Sequence, residues 1–274
     1  MSLKVNVLSQ KGNKLTFLLE GATPAYANAL RRIAMEEVPT MAVEIVDFRK
    51  NSSALFDEVI ALRLGLCALK TEYKSYTLPA ECACGGKGCA RCQLSLTLEG
   101  KGQKSGVIVR AGDIRSKDPK VVPIHADTPI VKLFDNQELE LEMTAVLGRG
   151  KDHVKWSPGH VYYQQVPHVK ISKKGEAFVE CEKLCPTGVF EVKDGRLRVR
   201  DGKEYACILC GACIDASDKE VDVETNREDY LFTVESWGQI SPKEMMLKSV
   251  EILDAKADEF IAAMKEAVKK EKEK

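Results

Sequence analysis

The sequence predicts an α+β fold in more than one domain, and three observations carry that expectation. Both ends of the chain hold strong helix patterns, an alternating apolar hairpin precedes the first of them, and two cysteine-bearing stretches with strand-like runs lie between. At 274 residues there is enough chain for two or three separate cores.

The elements follow in order. Leu3, Val5 and Val7 alternate, the chain turns at Gly12-Asn13, and Leu15, Phe17 and Leu19 resume the pattern; this reads as a β-hairpin with one buried face. Thr23-Pro24 supplies an N-cap with proline at the first helical position. Tyr26, Ala27, Leu30, Ile33, Ala34 and Val38 then recur at helical spacing until Pro39, with Arg31 and Arg32 largely off that stripe. Extended segments are expected at 43–48, 94–98, 139–147, 177–179, 197–199 and 230–237. Ser241-Pro242-Lys243-Glu244 combines an N-cap, a first-turn proline and a capping-box glutamate. Behind it Met246, Val250, Leu253, Ala257, Phe260, Met264 and Val268 step by three or four and form a narrow seam. Such a seam suits packing along another helix, but on these residues alone intramolecular packing is the expectation.

Composition bounds the function. Lys plus Arg (41) balance Asp plus Glu (41), so no global basic field draws the chain to nucleic acid. No charged n-region and apolar core open the sequence, and no apolar run approaches the roughly 20 residues of a membrane span. Ten cysteines without such a leader point to metal or cluster ligation in a reducing, cytoplasmic setting rather than to disulfides.

Cys207, Cys210 and Cys213 stand at two-residue gaps downstream of Cys185-Pro186. In two-cluster ferredoxins each run is Cys-x2-Cys-x2-Cys-x3-Cys-Pro, and the fourth cysteine ligates the other cluster. Cys185 therefore joins Cys207, Cys210 and Cys213. The complementary set would be Gly175, Phe178, Cys181 and Ser217, of which only one is a thiol. The arithmetic predicts one iron–sulfur cluster, [4Fe–4S], or [3Fe–4S] if one iron is lost, and leaves Cys181 as a free or packed thiol. Zinc or fortuitous cysteines are the alternatives.

A second quartet, Cys82, Cys84, Cys89 and Cys92, sits among Gly85, Gly86 and Gly88. Glycines let a short loop aim four sulfurs at one tetrahedral ion, and an all-cysteine closed site is structural zinc chemistry; the one-residue gap in the first pair is unusual, and vestigial cysteines or an oxidised pair are the rivals. Cys67 reads as a core thiol. Nothing supports catalysis: His125, His153, His160 and His168 are scattered, and Gly148-Arg149-Gly150-Lys151 lacks P-loop spacing.

Asn28-Ala29-Leu30-Arg31-Arg32-Ile33, running into Val38-Pro39-Thr40-Met41-Ala42, resembles the signature helix of the α-like subunits of RNA polymerase. Asn51 to Ile60, Arg63-Leu64-Gly65-Leu66, Gly148 to Pro158 and Phe232 to Ser236 extend the resemblance over nearly the whole chain. With a ferredoxin-like insertion it is similar to the archaeal branch of that family, whose relatives are the bacterial α subunit and the third-largest subunit of eukaryotic RNA polymerase II. Leu62 and Cys67-Ala68 depart from the family's usual His and Ile-Pro.

The resemblance implies an α-like RNA polymerase dimerisation domain from both chain ends (1–48 plus 225–274). It implies an inserted mixed α/β domain at 49–165 carrying the Cys82–Cys92 loop, and a nested ferredoxin-like iron–sulfur domain at 166–224. It implies a non-catalytic assembly subunit of archaeal DNA-directed RNA polymerase that pairs with subunit L, seats the large catalytic subunits, and has small subunits N and P nearby. DNA and RNA are then met only through the complex. Leu30, Arg31, Arg32, Val250, Leu253 and Phe260 become interface residues, which reverses the intramolecular expectation for the seam. The rival expectations are an electron-transfer subunit of an oxidoreductase and a redox-sensing regulator of polymerase assembly.

Overall fold

The computed structural model describes residues 3–272. The N-terminal hairpin is β1 (Lys4–Lys11) and β2 (Lys14–Glu20), followed by helix α1 (Pro24–Glu36), β3 (Thr40–Asn51) and α2 (Asp57–Gly65). Next come β4 (Leu94–Lys101), β5 (Val107–Arg110), β6 (Arg115–Ser116), β7 (Pro129–Leu133), β8 (Glu138–Gly148) and β9 (Gly159–Ile171). The second cysteine region holds α3 (Cys181–Leu184), β10 (Phe190–Lys193), β11 (Arg196–Val199) and α4 (Ala212–Ala216), and β12 (Val221–Ser236) leads into α5 (Pro242–Lys272).

Contacts divide the described chain into two compact units interleaved along the sequence. One runs up to Gln10 and takes Leu15–Asn28 and Tyr162–Thr233; the other takes Lys11–Lys14, Ala29–Val161 and the chain from Val234 on.

In the first unit the main sheet has the order β1-β2-β12-β9. Its core is aromatic: Phe17 stacks on Phe232 with centroids 5.1 Å apart, and Tyr163 lies 5.1 Å from Phe232 and edge-on to Tyr230. β1 departs from expectation, since its whole length is exposed, and Leu3, Val5 and Val7 with it. It is an edge strand, and nothing within the unit covers its apolar side. The second cysteine region is a small satellite around the β10–β11 hairpin, whose two-residue turn, Asp194-Gly195, has positive φ at both positions. That is the type I′ geometry an Asp-Gly pair favours. Residues 177–179 are not a strand: a 3-10 turn at Gly175–Ala177 leads directly towards α3.

The second unit is built on the sheet β3-β8-β4-β6. Period-2 alternation buries Leu139, Leu141, Met143 and Ala145 of β8 on one face. The register sets Leu94, Leu96 and Leu98 of β4 against Ala145, Met143 and Leu141. Ile60 and Leu64 of α2 join the same core with Met41, Val43, Ile130 and Leu133. A one-residue slip would turn all of the strand side chains to solvent.

Phe232 is fully buried between Phe17 and Tyr163. Phe232→Ala is expected to destabilise the protein by about 3–5 kcal/mol, read as a fall in the urea midpoint at unchanged slope.

Candidate partner face and cysteine centres

Helix α5 begins as its sequence requires. The Ser241 hydroxyl accepts the Glu244 N–H at 3.2 Å, and the Met245 N–H reaches the Ser241 carbonyl. Its first turns are covered: Met245, Met246 and Ser249 are buried. From Val250, 44% exposed, the seam comes out of its own chain; Leu253 is half-buried, Phe260 is 67% exposed, and Ile261, Met264 and Val268 are exposed as well. At 31 residues the helix is about 46 Å long, and its outer part is a continuous apolar stripe of the kind that marks a protein–protein surface.

α1 is capped by Thr23, whose hydroxyl accepts the Tyr26 N–H at 3.2 Å. Of the expected interface residues on this helix, Leu30 is only 4% exposed within its own chain. It packs into the core of this chain and is not presented to a partner. Arg32 is exposed and pairs with Glu36 one turn on at 3.1 Å; Arg31 is half-buried. Just past α1, Glu37 receives Lys151 at 3.1 Å and Lys256 of α5 at 2.8 Å. Burial alone would raise the Glu37 pKa, but the hydrogen bonds and charges of Lys256 and Lys151 outweigh it and hold the carboxyl below its usual range.

The first cysteine quartet is a closed ligand set. The Sγ atoms of Cys82, Cys84, Cys89 and Cys92 all lie within 4.8 Å of one another. Cys82–Cys89 and Cys84–Cys92 are 3.6 Å apart and Cys89–Cys92 3.8 Å. Metal–sulfur bonds of about 2.3 Å in a tetrahedron place sulfurs about 3.8 Å apart, whereas a disulfide needs about 2 Å. All ten cysteines are free thiols. Two reverse turns make this possible, closed by Gly85 N–H to the Cys82 carbonyl and Cys92 N–H to the Cys89 carbonyl, both at 2.9 Å. Gly85, Gly86 and Gly88 all take positive φ. The Cys84 backbone N–H holds the Cys82 thiol down to about 6, while burial pushes Cys92 up to about 12. This donor set fits a metal ion.

The second set is spaced differently. Cys185, Cys207, Cys210 and Cys213 line one small cavity together with Thr187, Ile208 and Gly211. Among the described residues they form no group tight enough for a single ion. The Cys185 sulfur accepts the Val189 N–H at 3.4 Å and lies 3.6 Å from the Thr187 hydroxyl. Burial raises Cys207, and pushes Cys213 up to about 11. Cys210 is the exposed member. The complementary half is packed solid: a Cβ on Gly175 would meet the Glu220 carbonyl oxygen at 2.4 Å. Ser217, fully buried, donates to the Cys213 carbonyl at 2.7 Å and accepts the Val221 N–H at 2.9 Å. Cys181 is fully buried in the apolar cluster with Val189, Phe190 and Leu197.

The apolar seam left open along α5 is a surface of the kind through which two chains pair. Residues 16–257 match the family model "RNA polymerase Rpb3/Rpb11 dimerisation domain", and the chain belongs to this family. It is similar to DNA-directed RNA polymerase subunit Rpo3 of Archaeoglobus fulgidus, 38% identical over 95% of this chain and 97% of the relative. The subunit of the same name from Pyrococcus horikoshii is 39% identical over 94% and 96%, and that from Methanosarcina acetivorans 34% identical over 96% and 99%. The chain is accordingly an assembly subunit of DNA-directed RNA polymerase. No helix among the described residues is long and apolar enough to cross a membrane.

Because the Glu37 pKa is lowered, the clamp stabilises the fold at neutral pH and is lost as pH falls through that lowered pKa. Glu37→Gln is expected to cost on the order of 1 kcal/mol at neutral pH, and urea titrations should show the gap from wild type closing in acid.

Proposed function

We propose that this chain forms a heterodimer with subunit L, the second α-like subunit of the polymerase, and that the pair seats the two large catalytic subunits, with small subunits N and P alongside. Nucleic acid is then reached only through the complex. The single observation that carries this reading is the stripe Val250, Phe260, Met264 and Val268, which the chain leaves open along α5. Leu253 borders it, and Arg31 and Arg32 of α1 contribute charge towards a large subunit.

The chain works as three parts: a dimerisation domain from 1–48 plus 225–274, an insert at 49–165 and a cluster domain at 166–224. Cys185, Cys207, Cys210 and Cys213 hold one iron–sulfur cluster, [4Fe–4S] or, with one iron lost, [3Fe–4S]. Their shared lining of one cavity supports this. Cys82, Cys84, Cys89 and Cys92 hold a structural zinc, which their sulfur separations support. Both groups act by stabilising the folded state they bind. Because Cys92 must give up its proton to ligate, zinc affinity rises with pH. The exposure of Cys210 favours one second reading, in which cluster oxidation tunes assembly.

Co-expression with a subunit L is the test. The wild type is expected to elute as a one-to-one heterodimer, and Phe260→Asp, at an exposed site, to weaken it about 10-fold or more with the melting temperature unchanged. A wild type that stays monomeric would sink the reading. Anaerobic purification with absorbance, EPR and metal analysis should find both iron and zinc. Cys92→Ser should lose the zinc and keep the cluster signal, and Cys210→Ser should do the reverse.

A further inference from the structure

Arg149-Gly150-Lys151, just past β8, is seated against the C-terminal end of α1. A Cβ on Gly150 would meet the Met35 carbonyl oxygen at 2.2 Å, and the Lys151 N–H donates to the Glu36 carbonyl at 2.9 Å. The two cations of this segment serve different elements. Arg149 pairs at 2.7 Å with Glu81, the residue before Cys82. Lys151 pairs with Glu37, which also holds Lys256 of α5. A short chain of ion pairs therefore joins the first cysteine quartet to the helix that carries the open seam.

The same parts meet in one cleft of about 490 Å³ within the second unit, lined among others by Glu37, Tyr73, Leu78, Glu81, Arg149 and Lys256. The Tyr73 hydroxyl donates to the Pro39 carbonyl at 2.7 Å, and Lys248 of α5 lies 4.4 Å over the Tyr73 ring. The base of the quartet loop is closed further on, where the Thr77 N–H donates to the Arg91 carbonyl at 2.8 Å. Tyr73 lies outside that closure and holds α5 whatever the loop does. Glu81 lies inside it.

The loop has little of its own to fold around. Of the described residues from Pro79 to Cys92, only Cys82 and Cys92 are buried. A segment without an apolar core stays ordered only if something offsets its conformational entropy. Here that is the ligand set, since an ion bound by the four thiolates contributes directly to the folded form. Glu81 ends the 3-10 turn Pro79–Glu81 that leads into Cys82. Its hold on Arg149 thus depends on the loop being formed.

We propose that metal binding at the Cys82–Cys92 loop steadies α5 through Glu81 and Arg149, so that the chain takes up its heterodimer partner more tightly when the quartet is loaded. The proposal rests on the heterodimer and zinc readings, and it makes Glu81 and Arg149 positioning residues between two separate sites. Linkage makes the effect reciprocal: the partner must raise zinc affinity by the same factor. The Arg149 and Glu81 side chains are 34% and 59% exposed, so screening limits that factor to about 3-fold. A loop that only stabilised its own surroundings would act alike on the free and the paired chain and leave the two affinities independent.

The test titrates subunit L into the full chain under anaerobic conditions, with the quartet loaded with zinc or stripped by a chelator and the cluster absorbance unchanged. The loaded chain is expected to bind L about 3-fold more tightly, and the heterodimer to hold zinc about 3-fold more tightly than the free chain. Both ratios should shrink towards unity in about 1 M salt, where exposed ion pairs are screened. Arg149→Met should bring both close to unity while zinc is still bound. The charge exchange Glu81→Arg with Arg149→Glu should restore them. Arg49→Met, which breaks an exposed pair with Glu142 elsewhere in the unit, should change neither. Equal affinity of the loaded and stripped wild type for L, or ratios that survive in Arg149→Met, would overturn the proposal. A wild type that forms no heterodimer, or that binds no zinc, would instead overturn the readings on which it rests, and the proposal with them.

Discussion

A helix that outruns the body it is anchored to leaves its apolar side chains in water until another chain covers them, and the rest of this molecule is arranged around that constraint. α5 is held over its first turns by Met245, Met246 and Ser249. Further along, the grip becomes electrostatic, with Lys256 reaching Glu37 beside Lys151. Beyond that point an alternating Lys/Glu surface keeps one side solvated while Phe260, Met264 and Val268 stay open. Hydrophobic burial has no direction of its own, so the ion-paired clamp midway along α5 contributes the aim of the helix while the seam contributes the area.

The two cysteine sets separate on geometry rather than on composition. Both are four thiols, yet one draws its sulfurs to tetrahedral contact within one short loop, and the other brings Cys185, beyond α3, to the lining of a cavity shared with Cys207, Cys210 and Cys213 of α4. In the first, glycines with positive φ let two reverse turns face each other. In the second, the neighbouring half-site is filled: Gly175 lies against the Glu220 carbonyl, Ser217 stitches α4 to β12, and Cys181 is core. A cluster at this half-site would have to displace these packed groups. The three positions of the complementary set that carry no thiol, read from spacing, thus lie in or beside packed structure.

Much of the architecture was legible because local rules were strong. Thr23 and Ser241 cap the helices they precede, and the extended segments expected at 94–98 and 139–147 become paired strands. Less was legible where side chains serve two masters. α2 carries apolar residues on both faces, so residues 57–65 show no contrast of period 3.6. β9 and the first half of β12 are rich in polar residues. The Asp194-Gly195 turn was a usable signal for the β10–β11 hairpin, overshadowed by the cysteines around it.

By itself the sequence determined what depends on neighbours along the chain: helix starts, strand periodicity, the thiol spacings and the family signature at Asn28 to Ala42. Only the tertiary structure decided what depends on residues far apart. It buried Leu30 in its own core while leaving β1 uncovered, joined Glu37 to Lys151 and Lys256, and set Gln239 against Thr40. The physical reason is the same in each case. An apolar or charged side chain states that it needs a partner, but which atoms meet it is a property of the packed chain and not of its order.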